Sequence, residues 1–288
     1  MAVLLALLSA LLFGAMTVAI RVGVLASMDA RVASLAMTLV AFAICTTAAA
    51  LAPLGGKVGL GPLWPFALAG VVAPGFSQLL FIRAIGEVGA SRASVVVGTA
   101  PLVSVAIALV VLREPARAPL LVGAALVVTG GVALAGERGR PRSLRAIGLL
   151  FAAGATVLFS ARDNLVRWLA GEGHAAPLAA AATTLLAGAA TMAALGLARR
   201  RPGEVGRILA AFRTFAPAGA LLGLSYLSLF EAYYRGRVTV VSPLVATESL
   251  WGVTLSALLL GRSEVVGRRL LLGAALVVAG GALIGSAS

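Results

Sequence analysis

Apolar residues run along this chain in stretches about as long as a bilayer is thick, with polar residues gathered in the short gaps between them. A helix needs about 20 apolar residues to cross the hydrocarbon core. That ruler predicts ten spans, over 3–25, 32–53, 63–85, 91–112, 118–136, 145–169, 176–198, 213–234, 238–260 and 268–286. The longest charged gap, Gly136-Glu137-Arg138-Gly139-Arg140-Pro141-Arg142-Ser143, falls between the fifth and the sixth. Residues 1–136 therefore read as one five-helix half, 137–144 as a linker and 145–288 as a second half.

The halves share a text. Gly123-Ala124-Ala125-Leu126-Val127-Val128-Thr129-Gly130-Gly131 returns as Gly273-Ala274-Ala275-Leu276-Val277-Val278-Ala279-Gly280-Gly281, identical but for one position. The same offset carries Glu114 onto Glu264, Gly86 onto Gly236 and Ser104 onto Thr254. Five spans is an odd number, so the second half enters the membrane in the opposite sense to the first. The expected fold is all-α and integral to the membrane, with ten transmembrane helices as two inverted five-helix repeats. Gly123, Gly130, Gly131, Gly273, Gly280 and Gly281 are small enough for close helix packing, and they offer no side-chain polar group to a substrate.

Composition agrees and removes alternatives. Of 288 residues, 61% are hydrophobic and 11% charged, with a mean hydropathy of +1.07, which leaves no room for a sizeable soluble domain. No basic residue precedes the apolar run from Val3 to Ile20, so this stretch reads as a first span rather than a signal peptide. Cys45, alone of its type, lies inside an apolar run and reads as packing. The net charge of +13 would suggest nucleic acid in a soluble protein. Here the arginines sit between apolar runs, where lipid phosphates meet them, and no nucleic-acid partner is expected. Most basic residues, including Arg138, Arg140, Arg142, Arg199, Arg200 and Arg201, fall in odd-numbered loops. By the positive-inside rule those loops are cytoplasmic and both termini lie outside.

Ionisable residues within apolar spans are costly and so mark function. Glu248 lies about ten residues into span nine, beside Thr247, Ser249 and Trp251. At a spacing of three, Glu248 and Trp251 are expected to share a face and to suit a cationic or amino group. Glu248 is also the candidate proton carrier, because an apolar span penalises its charged form. In span eight, Tyr226, Phe230 and Tyr233 form a helical stripe that fits either an interfacial belt or an aromatic cavity wall. Glu231 and Arg235 at i, i+4 read as a neutralising pair. Span six contains Arg162-Asp163-Asn164, which cannot all face lipid, and Asp163 and Arg167 form another i, i+4 pair. Gln78 and Arg83 bring polar groups to span three, and Arg21 and Phe13 in span one match Arg167 and Phe159 in span six. The substrate-binding set is thus Glu248, Trp251, Tyr226, Tyr233, Asp163, Asn164, Gln78 and Arg83. Pro74, Pro101, Pro217 and Pro243 fall in or near spans and fit either gates or ordinary kinks.

The only histidine, His174, lies in a loop, so no catalytic or metal-binding constellation is expected inside the membrane, and no cofactor. No GxxxxGK[ST] motif is present to serve ATP.

Two five-helix halves, each ending in a Glu and then a Gly-rich helix, resemble the EamA-type members of the drug/metabolite transporter superfamily. The residues that carry the resemblance are Leu112-Arg113-Glu114 with Gly123 to Gly131, and Gly261-Arg262-Ser263-Glu264 with Gly273 to Gly281. Pro101 also fits the first repeat, where the second has Trp251. The resemblance implies secondary transport, often export of amino acids or related metabolites, through a central cavity between the halves. It also implies cytoplasmic termini, against the charge count. The expected protein is a multi-pass exporter of small amino-acid-like or cationic metabolites in a bacterial inner membrane, by alternating access, with protons as candidate coupling ions. A multidrug cation exporter, a passive channel and a lipid-modifying membrane enzyme are the alternatives. The sequence does not separate monomer from homodimer.

Overall fold

The computed structural model describes residues 1–25, 29–51, 63–100, 102–103, 118–135, 146–171, 175–197, 204–236, 241, 244–260 and 267–287. The linker 137–144, His174, Pro101, Pro243 and the Glu114 and Glu264 ends of the repeat motif lie outside them. The described residues are almost all helical, and no strand occurs among them. In chain order they form α1 (Ala2–Leu25), α2 (Ala30–Leu51), α3 (Trp64–Gly70), α4 (Ser77–Val88) and α5 (Ala90–Val97). After these come α6 (Ala118–Ala135), α7 (Ala146–Gly171), α8 (Pro177–Leu197), α9 (Glu204–Arg235), α10 (Glu248–Leu259) and α11 (Arg268–Ala287). A π-helical turn, Val71–Phe76, joins α3 to α4. Among the described residues six segments are long and apolar enough to cross a membrane: α1, α2, α3 through α4, α7, α8 and α9.

Two predicted spans are interrupted where polar chemistry collects. Span three bends at Ala73, whose backbone leaves the helical region (φ −146°, ψ 119°) ahead of Pro74, a residue without an N–H to donate. Pro217, by contrast, sits inside the unbroken α9. Span nine is not one helix to Glu248: a turn closes from Thr247 N–H to Leu244 O, and α10 begins at Glu248. Glu248 thus stands in the first turn of α10, where the helix dipole favours negative charge. Between α4 and α5 the chain reverses at Gly89, whose φ of 88° admits few other residues.

Packing makes the duplication visible. α1 lies on α9 as α7 lies on α4, and α2 meets α9 as α8 meets α3 and the π-turn. Counterparts also meet each other, α2 with α8, α5 with α10 and α6 with α11, and α1 lies on α10 as α7 touches α5. Such reciprocity is what a twofold relation between repeats requires. The Gly-rich motif helices α6 and α11 meet glycine to backbone. A Cβ on Gly130 would fall 2.7 Å from Gly273 O, and one on Gly280 2.5 Å from Gly123 O. Gly14 does the same between α1 and α10, where a Cβ would fall 2.6 Å from Trp251 Cβ.

Two arginines that match across the repeat do matching work. Arg21 Nη1 donates to the carbonyls of Ile85 and Gly86 at 3.1 and 3.2 Å, near the end of α4. Arg167 Nη1 donates to Tyr233 O at 3.2 Å, near the end of α9. Each places a cation at the negative end of a helix. The i, i+4 partnership expected for Arg167 and Asp163 is therefore replaced: Arg167 reaches across to α9, and Asp163 meets Arg162. The Glu231–Arg235 pair does form, at 2.6 Å. Cys45 is buried, with its Sγ 3.5 Å from Gly223 O on α9.

At the turn before α2, Asp29 accepts from the Arg31 N–H and guanidinium at 3.0 Å each and from Arg207 at 3.3 Å. Partial burial opposes ionisation there, but these donors outweigh it and hold the carboxyl below its usual value. A carboxyl depressed in the folded state contributes stability above its unfolded pKa and loses it as pH falls through the folded value. Asp29→Asn is accordingly expected to lower stability at neutral pH by about 1 kcal/mol or less. The deficit should vanish on acidification below the ordinary carboxylate range, measured by thermal unfolding in detergent.

Candidate functional site

A cavity lies between the two halves, lined by α1, α5, α7, α9, α10 and the turns at Ala100 and Val245–Ala246. Its position across the membrane follows from which part of each helix supplies it. α1 contributes Ser9 and Phe13 from its first half, and α7 and α9 contribute Phe159–Asn164 and Ser225–Tyr233 from their later parts. The start of α1 and the end of α9 lie together, since a Cβ on Gly236 would fall 2.8 Å from Ala2 Cβ. Arg167 brings the end of α7 to the same face. The cavity is therefore displaced toward the face holding the start of α1.

Toward the other face it has an aromatic floor. Phe13 and Phe159, the matched pair, meet Phe81 of α4 with centroid separations of 5.4 Å (Phe13–Phe81) and 5.8 Å for each ring with Phe159. Edge contacts of this kind add about 0.5–1.5 kcal/mol per pair beyond the burial of area. Between these walls the space open to the centre of a water molecule is about 40 Å³. One water needs about 10–15 Å³ on that measure, so the cavity in this state admits a few waters and no metabolite.

Its charged groups among the described residues are Arg162, Asp163 and Glu248. Arg162 is 4% exposed and Glu248 8%. Arg162 Nε lies 2.7 Å from Asp163 Oδ1, but neither atom has a properly aligned hydrogen bond. Consecutive helix residues point about 100° apart, so this is charge contact without good aim. Arg162 Nη1 has no hydrogen-bond partner. The guanidinium lies 4.9 Å from the Tyr226 ring centroid and 5.7 Å from that of Phe159. Tyr226 in turn stacks on Phe230 at 5.7 Å, and its hydroxyl stands near the Arg162 guanidinium without an aligned hydrogen bond. The Tyr233 hydroxyl hydrogen-bonds Asp163. Glu248 has no ion pair among the described residues.

Neutral polar groups tie the walls together. Ser9 and Ser225 donate reciprocally to each other's carbonyl oxygens at 3.1 Å, which clamps α1 to α9. Thr156 and Ser160 of α7 donate to Val96 O and Ala100 O at 3.3 and 3.2 Å. These carbonyls flank the turn at Gly98–Thr99 where α5 ends, and Val96 O also accepts the N–H and hydroxyl of Thr99, so α7 is tied to the turn itself. Asn164 donates to Ser160 O at 2.8 Å.

Of the residues expected to bind substrate, Glu248, Tyr226, Tyr233, Asp163 and Asn164 line this cavity. Trp251, Gln78 and Arg83 do not. Trp251 is 38% exposed and outside the cavity lining, because positions three apart diverge by about 60° around a helix. Its Cβ packs near Gly14 on α1. Arg83 lies on the exposed face of α4, its guanidinium 6.0 Å from the Phe151 ring, while Phe81 takes the inward face. Gln78 is fully buried with both amide atoms unpartnered, outside the cavity lining. The Tyr226, Phe230, Tyr233 stripe faces inward and not the interface: all three are at most 2% exposed. Ser9, Ser225 and Ser160 are cavity contacts that the sequence does not signal, whereas Arg162 enters the lining as the first member of the span-six polar triplet.

A sequence model of the EamA-like transporter family matches residues 1–135 and 146–286. No curated protein matches significantly. A solved crystal structure aligns over 98% of this chain and 95% of its own, with a TM-score of 0.68 at 19% identity, a likeness of fold alone.

Proposed function

The chain belongs to the EamA-like transporter family, and on that premise we propose that it is a secondary transporter exporting small amino-acid-like metabolites across a bacterial inner membrane. The observation that carries the reading is the charge layout of the central cavity. Arg162 offers the unpartnered Nη1 donor to a carboxylate, and Glu248, at the N-terminus of α10, offers a carboxylate to an ammonium. A zwitterion matches both ends.

Alternating access supplies the movement. The cavity is displaced toward one face, floored by Phe13, Phe81 and Phe159 toward the other, and too tight to hold substrate as it stands. Halves that pack reciprocally can exchange roles and move that displacement to the opposite face. Protons are the coupling ion in this reading, with Glu248 as the carrier. The lining charges, one positive and two negative, leave one negative charge that either a proton or a substrate ammonium can neutralise.

Export of organic cations is the second reading, favoured by the aromatic faces of Tyr226 and Phe159 beside two carboxylates. Counterflow in proteoliposomes, with a panel of amino acids and small organic cations, separates the two. Saturable counterflow of amino-acid-like compounds supports the first reading. Counterflow of unrelated cations alone overturns it in favour of the second, and flux without saturation indicates a channel.

A further inference from the structure

The cavity's aromatic seat is filled by a residue of the chain itself. A cation within about 6 Å of an aromatic centroid is held by the ring quadrupole. The Arg162 guanidinium meets that condition over both Tyr226 and Phe159, at 4.9 and 5.7 Å. The Asp163 carboxylate lies 2.7 Å from Nε, and Glu248 lines the same space. Two faces and two carboxylates are what an organic cation would need, and the guanidinium already stands among them.

Arg162 is poorly secured for a structural residue. It is 4% exposed and 2.7 Å from Asp163 Oδ1, yet neither its Nε nor its Nη1 makes an aligned hydrogen bond. Buried guanidinium groups ordinarily have their donors satisfied, because an unmet donor costs free energy. The matched arginines of the two repeats behave otherwise: Arg21 and Arg167 cap helix ends with defined carbonyl partners. At an offset of 146, Met16 occupies the position that corresponds to Arg162. The first repeat therefore builds its half without a cation there.

We propose that Arg162 is a tethered cation that sets substrate specificity: it occupies the Tyr226–Phe159 seat, excludes free organic cations, and leaves Nη1 for the anionic end of a substrate. This rests on reading the cavity as the substrate site. It adds the residue that decides between the two substrate classes left open above. Removing Arg162 leaves Asp163 and Glu248 facing two unfilled aromatic surfaces, a site for a cation.

The test is binding of methylguanidinium, which replaces the excised side chain, and of tetramethylammonium to purified full-length protein, read by calorimetry. Unaltered protein is expected to bind neither at millimolar concentration. R162A is expected to bind both at least tenfold more tightly, and R162A/Y226L to lose that gain. R162K, which retains a tethered cation, should remain closed to both probes. R162M keeps the side chain's length without its charge and serves where R162A does not stay monodisperse. A monodisperse R162A or R162M that binds neither cation better than unaltered protein overturns the proposal, as does equal binding by R162K. An unaltered protein that transports no amino-acid-like compound, with cation binding still gained on loss of Arg162, would overturn the substrate class and leave the seat standing.

Discussion

Replacing Glu248 with glutamine is expected to slow transport about a hundredfold and to flatten its response to a proton gradient. Glutamine keeps the size of the side chain and removes its charge, so a change reports on charge and not on packing. Glu248 is 8% exposed and lines the cavity within reach of the fields of Arg162 and Asp163. Removing one partner of a buried charge pair costs about 2–5 kcal/mol, and 1.4 kcal/mol is tenfold in affinity. A hundredfold loss, about 2.8 kcal/mol, therefore lies inside that range. With the neutral amide in place of the carboxylate, the cavity's lining charges sum to zero without a proton, so proton exchange no longer accompanies substrate release. Substrate-driven counterflow and gradient-driven uptake in proteoliposomes measure the two effects separately. Normal transport with unchanged pH dependence would remove Glu248 from the mechanism.

The second large effect is expected at the opposite edge of the molecule, where no substrate reaches. Gly280→Leu should destabilise the fold by about 1–3 kcal/mol, the usual cost of overpacking. Even the first atom of a side chain would fall 2.5 Å from Gly123 O and 2.7 Å from Val127 Cγ2. The nearest obstacle is backbone, which cannot turn aside, so α11 must move off α6. Gly130→Leu should act alike, since its Cβ would fall 2.7 Å from Gly273 O. Ala279→Leu, one position away on the exposed face of α11, is the control and should leave stability unchanged. For a chain of this size the loss corresponds to roughly 5 °C in melting temperature, read by intrinsic fluorescence in detergent. A Gly280→Leu protein that melts with the unaltered one would show that α6 and α11 do not need their close approach.

The two variants probe different parts of the sequence's legibility. The glycine motif was readable because packing between membrane helices depends on side-chain size, and size is written directly in residue type. Its reciprocal contact, Gly123 against Gly280 and Gly130 against Gly273, is what two copies of one pattern related by a twofold must make. Glu248, Asp163, Asn164, Tyr226 and Tyr233 were readable because a polar or aromatic group inside an apolar run has few places to go. Trp251 and Arg83 were misplaced for a common reason. Helical spacing gives the angle between two residues, but not which of the two angles faces the neighbouring helix. Arg167 was misassigned because an i, i+4 carboxylate was visible in sequence and the carbonyl of Tyr233, on another helix, was not. The Ser9–Ser225 clamp joins residues 216 apart and left no mark in either neighbourhood.

By itself the sequence determined the solvent, the helical class and the duplication, since apolar run length and repeated residues need no third dimension to be read. It also showed where the repeats differ: Glu248 corresponds to Gly98, and Arg162 to Met16. Tertiary structure alone decided where those charges meet, that the cavity lies toward one face above a floor of Phe13, Phe81 and Phe159, and that a guanidinium stands in the aromatic seat. The reason is physical. Lipid exposure constrains each residue separately, whereas a site in a helical bundle is made of contacts between residues that only the crossing of helices brings together.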